Sequence, residues 1–141
     1  MSQLNTTFYE TLLRVRPDDI DMFQHVHSAK YIDYVLAARY DQMERCYNNP
    51  MEDYLKQGLG WVVNSCTIHF KRPLKLKDEM VVRTRITEVR KYDVTVEFEI
   101  VHATTKKLCS NGSFQYTFIQ LSDGRAKEIP DWVLQKYTLH D

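Results

Sequence analysis

The sequence predicts an α+β fold in which a curved antiparallel sheet wraps around one long helix. Three observations predict it. The run from Ala29 to Tyr47 lacks Gly and Pro and is apolar around most of its circumference. At Trp61 the hydrophobic period changes from about 3.6 residues to about 2. The connections between the later strands are short and polar, which suits antiparallel neighbours.

The helix is expected to start with Ser28 as its N-cap and to end where Asn48, Asn49 and Pro50 break it. At about 1.5 Å per residue it would span about 28 Å, the width of a small domain. Its polar residues Lys30, Asp33, Asp41 and Glu44, with Ala37 between them, form one narrow stripe. Tyr31, Ile32, Tyr34, Val35, Leu36, Ala38, Met43 and Cys46 occupy most of the rest. A surface helix carries a polar face about as wide as its apolar one, so this helix should be embraced on most sides.

Before the helix, Phe8 to Arg16 alternates as a strand with Tyr9, Leu13 and Val15 on one face, stopped by Pro17. After it, Met51 to Gln57 reads as a short helix, a flap or spacer, with Pro50 at its first position and Gly58 just past its end. In the strand from Trp61 to the closing Pro73, Val62, Cys66, Ile68 and Phe70 alternate with Val63, Ser65, Thr67 and His69. Three more strands should bury Met80, Val82, Thr84 and Ile86, then Val94, Val96, Phe98 and Ile100, then Phe114, Tyr116 and Phe118. Lys75 to Asp78, Arg90 to Asp93 and Thr104 to Lys107 are expected to be hairpin turns, and Asp131 to Tyr137 a last helix. Residues 1–141 are read as a single domain with a core that needs no metal or disulfide.

With 19 basic and 19 acidic residues, the chain has no excess field to draw nucleic acid or an anionic membrane. Cys46, Cys66 and Cys109 are widely spaced, without a CxxC pair, and read as reduced thiols in or near the core. The first residues lack the basic and apolar regions of a signal peptide, and no apolar stretch approaches the roughly 20 residues of a membrane span. A cytoplasmic protein is expected.

The chemistry-bearing residues crowd the entrance to the long helix, in DDIDMFQHVHS from Asp18 to Ser28. Asp21 just before a helix suits either a catalytic carboxylate or simple N-terminal electrostatics. Asp18 and Asp19 suit solvated or structural roles. His25 could position substrate or water, or be an ordinary hydrogen-bonded loop residue. Asp19, Asp21, His25 and His27 contain metal-ligating types, but their spacing matches no metal motif, so no metal is expected. No G-x-S-x-G supports a serine nucleophile, and the cysteines lie where core residues are expected.

Asp19-x-Asp21, His25-Val26-His27, Tyr31 and Ala38-Arg39 resemble the hot-dog-fold acyl-CoA thioesterases, in the branch of 4-hydroxybenzoyl-CoA thioesterase. Val62-Val63 through Phe70, Arg72-Pro73 and Asp78-Glu79 are similar to that family's second strand and its exit turn. The sequence departs from the pattern where Met22-Phe23-Gln24 replaces the common Gly, and where His27-Ser28 stands for the frequent Asn-Asn.

The resemblance implies a hot-dog fold, a homodimer or homotetramer, and an active site at the dimer interface near the start of the long helix. It implies Asp21 as nucleophile or general base on a thioester, with a backbone N–H near Ser28 polarising the carbonyl; His25, from its place in the same loop, is a further candidate catalytic residue. Such a helix start offers unpaired N–H groups to a developing oxyanion.

The expected reaction is hydrolysis of an acyl- or aryl-CoA, with no cofactor. His27, Tyr31, Trp61 and Arg72 are candidate substrate contacts, and Lys71, Arg83, Arg85, Arg90 and Lys91 are further cations available to the phosphates. Acyl carrier protein is an alternative thiol carrier, and a non-catalytic thioester-binding dimer is an alternative function. An enoyl-thioester hydratase of the same fold carries Asp-x-Asn-Pro-x-His. Here Asp21 and His25 are four apart and Asn-Pro is absent.

Overall fold

The computed structural model describes residues 3–139. In chain order the elements are β1 (Gln3–Leu4), β2 (Tyr9–Arg14), α1 (Lys30–Arg45), α2 (Met51–Leu55), β3 (Leu59–Phe70), β4 (Glu79–Val89), β5 (Asp93–His102), β6 (Leu108–Gln120), α3 (Asp131–Lys136) and β7 (Thr138–Leu139). Five strands form one antiparallel sheet in the order β2-β4-β5-β6-β3. This is the expected α+β hot-dog arrangement, with α1 on the inner face. The short β1 and β7, not foreseen, pair with each other near the two ends of the chain.

Period-two burial makes the middle of the sheet. Met80, Val82, Thr84 and Ile86 of β4 and Val94, Val96, Phe98 and Ile100 of β5 are all buried. Phe114 and Phe118 of β6 join them, while Tyr116 between them is half-buried. Against this face α1 places Tyr31, Tyr34, Val35, Ala38 and Met43. Burying such side chains contributes about 1.5–3 kcal/mol each before entropy is counted, so this contact dominates the fold's stability.

The helix is sheathed less completely than its pattern predicts. Leu36 and Tyr40 are exposed along with Asp33, Ala37 and Glu44, while Arg39 and Gln42 are buried. Gln42 is tied into the sheet: its Nε2 donates to Thr11 Oγ1 (3.0 Å) and Val82 O (3.2 Å), and Thr84 Oγ1 donates to its Oε1. Buried polar groups persist only when paired in this way.

Four local expectations are corrected. Ser28 is not the side-chain cap: α1 follows Ala29, already helical at φ −64°, and the entry is closed by main-chain bonds from Lys30 N to His27 O and Tyr31 N to Ser28 O. Pro50 is the residue preceding α2 rather than its first. Lys75 to Asp78 belongs to no hairpin, because β3 pairs with β6 at the sheet edge while β4 lies between β2 and β5. Residues 71–78 instead cross the end of the sheet past the start of α1, held by Val26 N to Leu74 O (2.8 Å). The other two connections are hairpins between neighbours, as expected.

The fourth correction concerns β3. Its register against β6 slips between Val63 and Ser65, leaving Asn64 as an inserted residue. Such a bulge shifts the side-chain alternation by one. Trp61 and Val63 therefore share the inner face with Cys66, Ile68 and Phe70, opposite Phe118, Tyr116, Phe114, Gly112 and Ser110. Val62 belongs to the outer face. All three cysteines are free thiols, with Cys109 buried but Cys66 exposed.

Candidate active site

The loop from Asp18 to Ala29 is anchored by a buried pair beneath it. Tyr34 Oη donates to Asp19 Oδ2 (2.7 Å) and accepts from Arg16 N (3.3 Å), and His27 N donates to Asp19 O (2.8 Å). Burial and the neighbouring Asp19 carboxylate push the Tyr34 phenol up to about 12. Asp19 is thus structural, and Asp18 is exposed beside Arg16 at 3.2 Å.

On this base Asp21 forms a tight turn. Its N donates to His25 O (2.8 Å), and its Oδ1 accepts from Phe23 N (2.9 Å) and His25 N (3.3 Å). Gln24 takes φ +67°, the left-handed conformation this turn requires of a non-glycine residue. One carboxylate oxygen is fixed by backbone donors. Among the described residues the other, Oδ2, has no hydrogen-bond partner.

A pocket of about 270 Å³ opens here, lined by Asp21, His25, Ser28, Tyr31, Phe70 and Arg72, with Val26, Lys71 and Pro73 completing the wall. Five of the seven predicted site residues are therefore together: Asp21, His25, Ser28, Tyr31 and Arg72. Ser28, which lines the pocket together with Asp21, has a main-chain N–H with no acceptor among the described residues. Tyr31 is a wall and a brace. Its ring meets Phe70 edge-on at 5.1 Å, its Oη accepts from Leu74 N (3.3 Å), and burial pushes its phenol up.

His27 and Trp61 are not in this pocket. The exposed His27 accepts through Nδ1 from Ala29 N (3.4 Å), because successive residues of an extended loop point opposite ways. Trp61 stands nine positions from Phe70 on β3, up to about 30 Å of strand. It lines a second cavity of about 260 Å³ with Leu36, Arg39, Tyr40, Met43, Val63 and Tyr116. The signal for that cavity was present in the sequence: Arg39 and Tyr40 interrupt an apolar helix face without belonging to the polar stripe.

The candidate cations divide the same way. Arg83 is engaged by Glu99 (2.5 Å) and Glu10 (3.0 Å), Arg85 by Glu97 (3.2 Å) and Arg90 by Asp93 (2.5 Å) and Glu88 (2.9 Å). Lys91 lies over the Tyr92 ring. Lys71 and Arg72 remain at the pocket, and Arg72 also borders an adjoining basin with Lys75, Lys107 and His102. Among the described residues no helix is long and apolar enough to cross a membrane.

The profile of the Thioesterase-like superfamily matches residues 15–137. The long-chain acyl-CoA thioesterase FadM of Escherichia coli is 25% identical over 80 residues, 57% of this chain and 59% of FadM, so that match spans less than two thirds of its length. The acyl-CoA thioester hydrolase YbgC of Escherichia coli is 27% identical over 100 residues, 71% of this chain and 74% of YbgC. The crystal structure of a 1,4-dihydroxy-2-naphthoyl-CoA thioesterase from Synechocystis superposes with a TM-score of 0.84 at 15% identity, covering 93% of this chain and 96% of that one.

Proposed function

Because the chain belongs to the Thioesterase-like superfamily, we propose that it is an acyl-CoA thioesterase whose catalytic carboxylate is Asp21. The observation that carries this reading is that one pocket is lined both by a carboxylate fixed through Oδ1 and by Ser28, whose N–H has no acceptor among the described residues, just before a sixteen-residue helix. A thioester carbonyl directed at Ser28 N–H would develop its oxyanion against that donor and the positive end of the helix dipole.

Asp21 Oδ2 then attacks the carbonyl carbon, or takes a proton from a water that attacks it. The C–S bond breaks, the sulfur leaves with a proton, and water supplies the acid's new oxygen. His25 borders the same space and orients the water or the leaving thiol. Hydrolysis needs no cofactor. Lys71 and Arg72 at the pocket's mouth, with Lys75 and Lys107 in the basin beyond, suit the phosphates of coenzyme A.

The protein works as a homodimer in this reading. β3 is a sheet edge of twelve residues, most of them exposed, and such an edge invites pairing. Two β3 strands paired antiparallel about a two-fold axis bring the Phe70 end of one beside the Trp61 end of the other. The Asp21 pocket of one protomer then faces the Arg39 cavity of its partner.

The test is thiol release from a panel of acyl- and aryl-CoA thioesters, with Asp21→Asn in parallel. Turnover by the wild type and its loss in a folded Asp21→Asn protein are expected. Binding without turnover by the wild type would make the protein a thioester-binding module instead.

A further inference from the structure

Six cations gather at the end of the sheet that holds the Asp21 pocket. Lys71, Arg72, Lys75, Lys77, Lys106 and Lys107 are all exposed, and none forms an ion pair among the described residues. They sit on the crossing segment 71–78 and on the hairpin after β5, which the fold ties together. Asp78 N donates to Lys75 O (3.0 Å), Lys106 N donates to His102 O (2.9 Å), and His102 Nε2 reaches Asp78 Oδ1 at 3.3 Å between the two turns. The Asp21 turn lies alongside, through Val26 N to Leu74 O. Asp21, Asp78 and Glu79 are the carboxylates set among these cations, which outnumber them.

Large apolar side chains project from the same turns. Leu76, between Lys75 and Lys77, is 50% exposed. Met22 and Phe23, at the tip of the Asp21 turn, are 85% and 73% exposed, more than any other large apolar side chain among the described residues.

The backbone of these turns is also costly. Among the described residues four other than glycine take positive φ, and three of them are here: Gln24 (+67°), Lys77 (+73°) and Lys106 (+64°). Glycine or asparagine adopts that conformation with less strain, so backbone preference does not account for the two lysines. Nor do the phosphates of coenzyme A, since Lys77 and Lys106 line neither the Asp21 pocket nor the basin beyond it. The neutral total charge does not cancel such a cluster, because exposed charges more than about 8 Å away are largely screened at physiological salt.

We propose that this end of the protein docks on anionic lipid bilayers, with the six cations at the phosphate level and Leu76, Met22 and Phe23 entering the headgroup boundary. Apolar side chains on convex turn tips favour lipid over a protein partner. A bilayer yields to any convex shape, whereas an acidic protein would have to offer a matching hollow for each tip. Docking sets the mouth of the Asp21 pocket against the surface into which thioesters with long acyl chains partition. In a paired-β3 dimer these docking regions lie at opposite ends of the joined sheet, so each binds by itself. The proposal goes beyond the thioesterase reading and does not rest on it, because docking needs no turnover.

The test is cosedimentation of the whole protein with vesicles of phosphatidylcholine and with vesicles of phosphatidylcholine mixed with phosphatidylglycerol, at two ionic strengths. The partition coefficient should be about tenfold or more higher on the anionic vesicles and should fall at the higher salt. Lys77→Asn combined with Lys106→Asn removes two charges and suits both left-handed positions. It should lower the coefficient about tenfold or more, at about fivefold per charge. Leu76→Ser should lower it severalfold while keeping the salt dependence, which a purely electrostatic contact would not show. An unchanged thermal midpoint verifies the fold of each variant.

Equal binding to both vesicles, binding to neither, or variants that bind like the wild type overturn the proposal. Holo acyl carrier protein, run in parallel as an acidic protein probe, overturns it too if it binds and the anionic vesicles do not. Selective vesicle binding without thiol release from any thioester would count against the thioesterase reading alone.

Discussion

Tyr34→Phe isolates the pair on which the catalytic loop rests. The substitution keeps the ring in the core and removes only the hydroxyl. That hydroxyl donates at 2.7 Å to the carboxylate of Asp19, itself 6% exposed, and accepts at 3.3 Å from Arg16 N. A hydrogen bond to a charged group contributes about 1.5–3 kcal/mol, and the longer neutral one about 0.5–1 kcal/mol. The variant should therefore lose about 2–4 kcal/mol in urea unfolding, with the m-value unchanged.

The pH dependence supplies an independent check. The Tyr34 phenol ionises near 10 in the unfolded chain and near 12 in the fold. Its contribution is full below pH 10 and is lost as pH rises through 12, because ionisation then stabilises the unfolded state first. The stability gap between wild type and Tyr34→Phe should be flat from neutral pH to pH 10 and narrow above it. A loss under about 0.5 kcal/mol, the size of an ordinary surface substitution, or a gap that stays constant through pH 12, would refute the load assigned to this pair.

Other outcomes follow from the same structure. Gly112→Ala should cost about 3 kcal/mol or more in urea unfolding, since its Cβ would lie 1.9 Å from Thr67 O of β3 and neither backbone can yield alone. Replacing both Arg72 and Lys75 by Ala should raise KM for acyl-CoA severalfold, weaken its salt dependence and leave kcat nearly unchanged. That would be read from initial rates at two ionic strengths. Sedimentation equilibrium should return twice the 16.8 kDa chain mass or a multiple of it; a monomer at assay concentration would remove the paired-β3 arrangement.

What could be read from the sequence was what depends on local periodicity. β4 and β5 are buried on one face, so Met80 through Ile86 and Val94 through Ile100 declared themselves by alternation. Asp21, His25, Ser28, Tyr31 and Arg72 emerged as a group because the family pattern and the helix start pointed to the same loop. Strand neighbours are a different matter. Alternation is the same whichever strand lies alongside, so the placement of β3 beside β6, and the crossing of residues 71–78, had no local signature. Ser28 misled because its preference for a cap is a tendency of the residue type, whereas here main-chain bonds from Lys30 and Tyr31 N–H to the His27 and Ser28 carbonyls close the entry. Arg39 was overlooked because a charged residue on an apolar helix face looks like an exception until the cavity around it is seen.

The extra residue at Asn64 lets a single strand serve two chambers. With unbroken alternation, whichever phase put Phe70 against Tyr31 would turn Trp61 and Val63 outward, and one chamber would lose its wall. The ladder to β6, rather than the count of residues along β3, sets which side chains wall each chamber. Removing Asn64 from this chain would take out the inserted residue and leave Trp61 and Val63 paired with Phe118 and Tyr116 on the inner face, as they are now.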